Sequence, residues 1–578
     1  MTSGISRRQF IHGTQSLLMV SALPATVDAA VSYGQANKDK FDSATWMAID
    51  RYVAHYMAEM NAPGLVLAVS NRDGLLRSSR HGIGDRAANR PIAPDELFQI
   101  GSISKSFAAI ALLQLSEEGK LDLHKPVLDY LPALRLDTPF GPITAHHLLT
   151  HTAGLPNTVS LFPLDAVTRH RTMYAPGERF YYSNLGYDIL GTLLTVLDGR
   201  SLEASLRARI FEPLGMGHTN ATLDGDTRAR TVMSYAPYLY ERPYPRSGRL
   251  TEAPEIIFTA ASGSISSTAG DMSRYVTMLA NRGATPKGRL ISPESFDLMV
   301  RPWVKAEDLG PDTGYGYGLM IQQSDGRIIA RHTGGMVSFA SAIVIDLESG
   351  YGAFASINAQ QEYRPTPVAM WSVQVLRTAA NADPAPELPK VDPATLVKGA
   401  LDYAGVYTGS EGRKLEFVVD GERLYLQHAR QRVPLETLSV PGLLARHPDF
   451  ERFPLTFTRA AGDTGPFTDV AYGGDCYSRG ETQRPADKAV PAAWHGFVGH
   501  YRNDSPWFGS VRIVVRRDRL WALYAIGYEF PLDPLGERTF RLADTPNTAD
   551  WIQFMDDLNG QASHVSVSGE PFWRVAAP

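Results

Sequence analysis

The chain has 578 residues, of which 44% are hydrophobic, so it can bury more than one hydrophobic core and should form several domains. Its 56 basic and 61 acidic residues give a formal net charge of −5 at pH 7, and neither sign forms a long run. We therefore expect no nucleic-acid partner and no binding to an anionic membrane surface. The single cysteine, Cys476, excludes an intrachain disulfide and a cysteine metal cluster.

Residues 1–29 are predicted to be a signal peptide of the twin-arginine type. Arg7 and Arg8 precede a modest apolar stretch from Phe10 to Ala25, and small residues follow up to Ala29. The apolar stretch is too short and too polar to cross a bilayer, which takes about 20 apolar residues. We expect a periplasmic or secreted protein without a stable membrane span. A basic N-terminus on a cytoplasmic protein is the alternative.

The rest of the chain divides by pattern into a mixed region and an all-β region. Residues 30–382 combine amphipathic helix patterns with short apolar strand patterns, which predicts an α/β (α+β) domain. Four prolines between Pro384 and Pro393 indicate a linker at residues 383–400. Beyond it, short alternating segments rich in Val, Tyr, Phe and Leu predict strands.

The all-β region repeats itself. "YAGVY" from Tyr403 returns as "FVGHY" from Phe497, 94 residues later, and two further matches follow in the same order at offsets of 96 and 97. We predict two small barrels, at residues 401–482 and 494–578, because a closed barrel leaves no exposed strand edge. A single sandwich split by a long hairpin is the alternative.

The segment "GSISKSFAAIALLQL" predicts a helix that carries Ser102 and Lys105 on one face of its first turn. Ile103, Phe107, Ile110 and Leu113 would form the apolar face. A serine here can simply cap the helix. A lysine amine with a depressed pKa can, however, take the proton of a serine hydroxyl, and a helix N-terminus offers N–H groups to a developing oxyanion. The pair can therefore supply a nucleophile and its base.

Two later segments complete a pattern: "YSN" at Tyr182–Asn184 and "HTG" at His332–Gly334. Together with the Ser102 segment they resemble the serine β-lactamase and penicillin-binding-protein-like hydrolases, which include class C β-lactamases, D-Ala-D-Ala carboxypeptidases, D-aminopeptidases and esterases. "ITAHHLLTHTAGLP", "FEPLGMGHT", "SGSISSTAGDMSRY" and "YGYGL" fit the same family in the expected order. The resemblance implies a catalytic domain with helices on a mostly antiparallel sheet. With two lipocalin-like barrels behind it, the chain is similar to three-domain D-aminopeptidases.

The resemblance also implies residue roles. Ser102 would be the acylated nucleophile, and Lys105 would accept or share its proton. Tyr182 would complete the base and later protonate the leaving group. Asn184 would hold Lys105 and the substrate amide by hydrogen bonds.

The third motif would bind substrate and stabilise the oxyanion. The oxyanion hole would consist of the backbone N–H groups of Ser102 and Gly335, next to Thr333 and Gly334. Many family members have Lys-Thr-Gly here, and the lysine attracts a substrate carboxylate. His332 stands in its place, and a mostly neutral histidine attracts an anion less. This favours substrates without a free carboxylate at that end.

We therefore expect an exported serine hydrolase that forms an acyl-Ser102 intermediate on short peptides or amides, in the manner of D-aminopeptidases or D,D-peptidases. The enzymatic alternative is a β-lactamase or an esterase. The non-enzymatic alternative is a ligand-binding protein with an idle hydrolase scaffold. Asp504 and Asp550, in two loops of the second barrel, are candidates to pair with a substrate amino group. A homo-oligomer is left open.

No cofactor and no metal are expected. His147 and His151 stand four residues apart, a spacing that can bind zinc on a helix, but the glutamate of a HExxH motif is missing. We interpret both as packing and hydrogen-bonding residues.

Overall fold

The computed structural model describes residues 41–576 except 158–169, 239–240, 247, 255, 361–362, 460–461, 481–488, 508 and 544–547. The predicted signal peptide lies outside these residues. None of the described helices combines the length and apolar character needed to span a bilayer.

The first domain contains most of the helices and a large sheet. The helices are α1 (Ser43–Met60), α2 (Ser104–Glu117), α3 (Val127–Tyr130), α4 (Ala145–Leu149), α5 (Asn184–Asp198), α6 (Leu202–Leu206), α7 (Glu212–Leu214), α8 (Gly225–Arg230), α9 (Ala269–Ala280), α10 (Pro293–Met299), α11 (Thr366–Ala380) and, before the first barrel, α12 (Ala400–Tyr403). The strands are β1 (Gly64–Asn71), β2 (Gly74–Asp85), β3 (Arg90–Pro91), β4 (Phe98–Gln99), β5 (Leu136–Asp137), β6 (His170–Arg171), β7 (Tyr235–Pro237), β8 (Leu250–Glu252), β9 (Ser266–Ser267), β10 (Ala284–Thr285), β11 (Gly288–Arg289), β12 (Val304–Lys305), β13 (Thr313–Tyr315), β14 (Met320–Ser324), β15 (Arg327–Met336), β16 (Phe339–Asp346) and β17 (Gly352–Ile357).

A nine-stranded sheet of order β12-β13-β14-β15-β16-β17-β1-β2-β3 separates two hydrophobic cores. Every neighbouring pair in it is antiparallel. Strand β1 shows why both faces are covered: Leu65 and Leu67 join the core under α1 and α11, whereas Val66 and Ala68 join the core that contains α2, α5 and α9. Because successive side chains of a strand point to opposite faces, a continuous apolar run requires helices on both sides. The predicted α/β domain with a mostly antiparallel sheet is confirmed.

Two closed barrels of eight antiparallel strands follow, as predicted. Each has its own hydrophobic core. The first consists of β18 (Gly405–Gly409), β19 (Lys414–Asp420), β20 (Arg423–His428), β21 (Gln431–Thr437), β22 (Leu443–Ala445), β23 (Leu455–Thr458), β24 (Asp469–Tyr472) and β25 (Asp475–Arg479). The second consists of β26 (Gly499–Arg502), β27 (Ser510–Arg516), β28 (Arg519–Tyr524), β29 (Glu529–Pro534), β30 (Thr539–Leu542), β31 (Trp551–Leu558), β32 (Gln561–Val567) and β33 (Glu570–Val575).

The repeated sequence has the same structure in both barrels. Tyr407 and Tyr501 end the repeated motif, and each is fully buried on the first strand of its barrel. The Tyr407 hydroxyl donates to the carbonyl of Tyr403 at 3.0 Å, and the Tyr501 hydroxyl donates to the carbonyl of Phe497 at 2.7 Å. The single-sandwich alternative is therefore wrong.

The proline-rich segment before the first barrel has no helix or strand between residues 383 and 399, yet it is packed. Leu388 and Val391 contact the core under α1 and α11. The backbone N–H of Val397 donates to the carbonyl of Glu422 in the first barrel at 2.8 Å. The segment therefore connects the two domains through contacts with both.

Candidate active site

Ser102 lies on a 3-10 turn, Gly101–Ile103, directly before α2. No side-chain hydrogen bond caps either element, so the explanation of Ser102 as a helix cap is wrong. The expectation of one apolar face on α2 is also wrong, because its polar residues Lys105 and Ser106 are as buried as Phe107. Packing on all sides fixes the position of the turn and its serine.

Lys105 makes three hydrogen bonds, which use all the protons of its ammonium form. Its Nζ donates to Ser102 Oγ at 3.0 Å, to Asn184 Oδ1 at 2.6 Å and to the carbonyl of Ser262 at 2.7 Å. The side chain is 0% exposed. Burial lowers the pKa of Lys105 to about 7, although the nearby Asp188 carboxylate opposes the shift. Near neutral pH an amine with this pKa is partly deprotonated, and the neutral form can take a proton from Ser102 while it still donates to Asn184 and Ser262.

Tyr182 lies close to Ser102, whose hydroxyl opposes the rise that burial causes in the pKa of the Tyr182 phenol. The centre of its ring is 4.8 Å from Lys105 Nζ. Burial raises the pKa of Tyr182 well above its usual value, so the phenol keeps its proton and can donate it. The ring packs against His151 with 4.3 Å between the ring centres.

Asn184 connects Lys105 to the loop before the undescribed segment 158–169. Its Oδ1 accepts from Lys105, and its Nδ2 donates to Asn157 Oδ1 at 2.8 Å. Asn184 is the first residue of α5, and the N-cap Ser183 accepts from the backbone N–H of Gly186 at 3.0 Å. The helix terminus therefore holds the amide in place.

His332, in β15, faces Tyr315 rather than open solvent. Its Nδ1 contacts the carbonyl of Thr333 at 2.6 Å, and since a carbonyl can only accept, Nδ1 carries the proton. Its Nε2, 3.0 Å from the Tyr315 hydroxyl, then accepts from it. Burial lowers the pKa of His332 to about 3, so the ring is neutral. Both ring nitrogens are thus occupied by protein groups.

Glycines in the third motif allow β15 to touch the turn that carries Ser102. A Cβ on Gly334 would lie 1.8 Å from the carbonyl oxygen of Ile100, where no side chain fits. A Cβ on Gly101 would lie 2.7 Å from the backbone nitrogen of Gly335. The predicted oxyanion donors, the N–H groups of Ser102 and Gly335, thus belong to two elements in direct contact.

Two polar partners of the site, Asp188 and Ser262, were not predicted. The backbone N–H of Ser262 donates to Asp188 Oδ1 at 3.2 Å, while its carbonyl accepts from Lys105. Burial raises the pKa of Asp188. The signal for Asp188 was its spacing, because it follows Asn184 by four residues on one helix face.

The two histidines of the "HLLTH" segment hold backbone groups. His147 Nδ1 accepts from the backbone N–H of Thr144 at 3.2 Å as part of a capping box for α4. His151 Nδ1 accepts from the backbone N–H of Ser183 at 3.0 Å. These contacts agree with a hydrogen-bonding role.

One group among the described residues has metal-ligand spacing, namely His428, His447 and Asp449 on the first barrel. His428 Nε2 already bonds to the Asp449 carboxylate at 2.7 Å, and His447 Nδ1 accepts the backbone N–H of Asp449 at 3.2 Å. The group lies in another domain than Ser102, so it plays no part in the chemistry of the serine.

A groove of about 960 Å³ lies elsewhere on the first domain, lined partly by Arg72, Asp271 and Arg274. Neither Ser102 nor Lys105 lines it. We place the candidate active site at Ser102, because a nucleophile, a base with a lowered pKa and a proton donor meet there.

The second barrel reaches this site through two loops. Trp507 packs against the core that contains α2, whereas Asp504 is exposed. Asp550 Oδ1 accepts from the backbone N–H of Asn157 at 2.8 Å, and its Oδ2 accepts from the Tyr181 hydroxyl at 2.7 Å. Both predicted loops therefore border the catalytic domain, and the one with Asp550 contacts the neighbours of Tyr182 and Asn184.

Comparison with known proteins agrees with this geometry. The family model described as beta-lactamase matches residues 49–374. The chain belongs to the beta-lactamase family. Members of this beta-lactamase family include penicillin-binding proteins and esterases, which are serine hydrolases.

Three relatives of this family member span much of its length. Penicillin-binding protein 4* of Bacillus subtilis (strain 168) is 26% identical over 398 residues, covering 64% of this chain and 84% of that protein. Penicillin-binding protein 4 of Amycolatopsis lactamdurans is 31% identical over 306 residues, covering 50% and 77%. The octameric penicillin-binding protein homologue from Pyrococcus abyssi superimposes with a TM-score of 0.54 at 25% identity, covering 75% of this chain and 99% of that one.

A shorter match involves Esterase EstB of Burkholderia gladioli, which is 32% identical over 202 residues, covering 30% of this chain and 51% of that protein. The relatives confirm the family predicted from the three motifs. They differ among themselves in the activity that their names give.

Proposed function

We propose that the chain is an exported serine acyl hydrolase that forms a covalent ester on Ser102 with the acyl group of short peptides or amides. The observation that carries the proposal is the buried amine of Lys105, 3.0 Å from Ser102 Oγ, with its pKa lowered to about 7. A buried amine poised between its two protonation states next to a hydroxyl is the arrangement that general base catalysis requires.

In the proposed acylation step, Ser102 Oγ attacks the substrate carbonyl carbon and its proton passes to Lys105 Nζ. The carbonyl oxygen becomes an oxyanion that accepts from the N–H groups of Ser102 and Gly335. Tyr182 gives its proton to the leaving nitrogen or oxygen as the carbonyl re-forms and recovers a proton from Lys105. Water then attacks the ester, one proton of the water returns to Ser102, and the acid is released.

The surroundings of His332 support substrates without a free carboxylate at that end. Its ring is neutral, and both nitrogens are engaged by Thr333 and Tyr315, so it offers no charged donor to an anion. Short peptides or amides of the D-aminopeptidase or D,D-peptidase type, with a D-residue at the scissile bond, are the leading class. An ester is the second candidate, supported by the similarity to Esterase EstB. A β-lactam is the third candidate substrate, and a ligand-binding protein with an idle hydrolase scaffold is the non-enzymatic alternative.

Intact-mass analysis tests the covalent step. The wild type is incubated with D-Ala-p-nitroanilide, a p-nitrophenyl ester, a D-Ala-D-Ala peptide and a penicillin, beside Ser102→Ala and the control Ser116→Ala at the far end of α2. An adduct or product with the wild type and Ser116→Ala, but not with Ser102→Ala, supports the proposal. Absence of any reaction would favour the binding protein.

The preferred end group is tested with one peptide in two forms, a C-terminal acid and a C-terminal amide. The neutral His332 is expected to favour the amide in kcat/KM, and His332→Lys to shift the preference toward the acid. An unchanged preference in the variant would remove His332 from the explanation of specificity.

Export and assembly are part of the same proposal. Removal of the paired Arg7 and Arg8 is expected to retain the protein in the cytoplasm, and cell fractionation measures this. The octameric homologue from Pyrococcus abyssi supports a test for a homo-oligomer by analytical ultracentrifugation.

A further inference from the structure

The loop between β30 and β31 of the second barrel ends at Asp550, whose carboxylate accepts hydrogen bonds from the first domain at two points. Asp550 accepts from the backbone N–H of Asn157 at 2.8 Å and from the hydroxyl of Tyr181 at 2.7 Å. Thr548 of the same loop is 2% exposed, and its Oγ1 donates to the Tyr181 oxygen at 3.1 Å. The two contacts lie on different segments of the first domain.

The first contact continues to Lys105 through a chain of hydrogen bonds. Asn157 Oδ1 accepts from Asn184 Nδ2 at 2.8 Å and from the backbone N–H of Asn184 at 3.3 Å. Asn184 Oδ1 then accepts from Lys105 Nζ at 2.6 Å. Asn157 therefore binds the Asn184 amide in the orientation that presents its oxygen to the lysine.

The second contact acts on the neighbour of Tyr182. Tyr181 directly precedes Tyr182, and its backbone N–H donates to the carbonyl of His151 at 2.8 Å. Asp550 binds the phenol of Tyr181, and the carbonyl of His151 binds its backbone N–H. The residue before Tyr182 is therefore held through both its side chain and its backbone.

The carboxylate is already satisfied by protein donors. Besides Asn157 and Tyr181, Ser568 Oγ donates to Asp550 Oδ1 at 3.1 Å. A carboxylate has about four acceptor positions on its two oxygens. The expectation that Asp550 binds a substrate amino group does not match this arrangement, since three protein donors already converge on it.

We infer that Asp550 is a positioning residue of the second barrel, which orients Asn184 and Tyr182 around Ser102 through Asn157 and Tyr181. The inference rests on the proposed function, in which these residues serve the acylation of Ser102. In this role the second barrel supports the active site without contacting the reacting atoms.

The variants separate this role from simple docking of the barrel. Asp550→Ala removes both contacts, Asp550→Asn keeps an oxygen for Asn157, and Tyr181→Phe removes only the phenol bond. The matched control is Glu241→Gln, which loses an ion pair with Arg502 between the same barrel and the first domain.

Two measurements are made on the full chain. The rate of Ser102 labelling by a fluorophosphonate probe, in which Oγ displaces fluoride, and kcat and KM for a p-nitrophenyl ester report the reactivity of the serine. Hydrogen exchange at residues 151–157 and 181–184 reports the order of the two segments without any need for activity.

Asp550→Ala is expected to lower the labelling rate and kcat about 10- to 100-fold with KM nearly unchanged, since small misplacements of catalytic groups are this costly. Asp550→Asn and Tyr181→Phe should fall between it and the wild type. Exchange should accelerate in both segments for Asp550→Ala and stay unchanged for Glu241→Gln.

The inference is wrong if Ser102 in Asp550→Ala is labelled at the wild-type rate. It is also wrong if Glu241→Gln lowers the labelling rate as much as Asp550→Ala does. A wild type that the probe does not label overturns the proposed function instead, and the exchange data then decide on Asp550 alone. Unchanged exchange in Asp550→Ala rejects the positioning role even if activity falls.

Discussion

The two barrels have the same architecture but use equivalent loops differently. The connection between the fifth and sixth strands spans residues 446–454 in the first barrel and 543–550 in the second. In the first, Glu451 forms an ion pair with Arg242 of the catalytic domain, and both side chains are about one-third exposed. In the second, Asp550 binds Asn157 and Tyr181 beside Asn184 and Tyr182.

The two barrels share a fold, and the contacts of each equivalent loop depend on where its barrel lies against the first domain. Both loops present one acidic residue to the first domain. An ion pair between two partly exposed side chains contributes little to stability, whereas the Asp550 carboxylate accepts hydrogen bonds from two segments that adjoin Tyr182 and Asn184. The same kind of residue therefore docks one barrel and orders the active site from the other.

The largest expected effect comes from equal cavities in the two barrel cores. Phe554→Ala in the second barrel removes a ring 4.1 Å from Phe497, and Phe417→Ala makes the same change at a core position on the second strand of the first barrel, both side chains being 1% exposed. Each should lower the stability of its barrel by about 3–5 kcal/mol. Near the melting temperature of the barrels, Ser102 labelling should fall only for Phe554→Ala. Calorimetry and labelling at the same temperatures check this, and equal loss in both variants would contradict it.

The next effect is on the pH profile. The pKa of Lys105, lowered to about 7 by burial, means that the free amine predominates above pH 7, so kcat/KM should rise with pH through this value, about tenfold per unit below it. The Phe417→Ala variant, measured at a temperature where it is folded, should keep the pH midpoint of kcat/KM. The Asp550→Ala variant should shift this midpoint. A profile that is flat between pH 5 and 9 would remove Lys105 as the base.

A smaller effect is expected for the paired tyrosines. Tyr407→Phe removes a buried hydroxyl that donates to the carbonyls of Tyr403 and Phe467. Tyr501→Phe removes one that donates to the carbonyl of Phe497 and accepts from Arg574 Nη2. Each change should cost about 1 kcal/mol in the free energy of unfolding of its barrel, by chemical denaturation. Clearly different costs would show that the two barrels differ in their cores as well as in their loops.

The smallest effect is expected for Glu451→Gln. The exposed ion pair with Arg242 should contribute between about 0 and 1 kcal/mol to stability, and the labelling rate of Ser102 should not change. Thermal unfolding with parallel labelling measures both. A loss of labelling similar to that of Asp550→Ala would mean that both barrels order the site.

The resemblance carried by the three motifs implied that Ser102, Lys105, Tyr182 and Asn184 meet, and the structure brings them together around Lys105. The ordered repeat and the alternating apolar pattern were sufficient to predict two barrels. Sequence could not predict the partners that meet across long separations, because no local pattern marks them. Ser262, for example, accepts from Lys105 across 157 positions.

Asp550 illustrates the same limit. Its position in a barrel loop was predicted, but its partners depend on how the second barrel sits on the first domain, 393 positions from Asn157 in sequence. The burial of α2 was missed for a related reason: the small polar residues that open the helix look solvent-exposed in sequence, and only the surrounding elements cover them.

The packed proline-rich segment determines where this chain can be cut. A fragment that ends at residue 382, where composition places the boundary, would strip Leu388 and Val391 from the core under α1 and α11 and leave an apolar surface uncovered. A fragment of the first domain that keeps these contacts must therefore extend past residue 391 and cannot end at the first proline, Pro384.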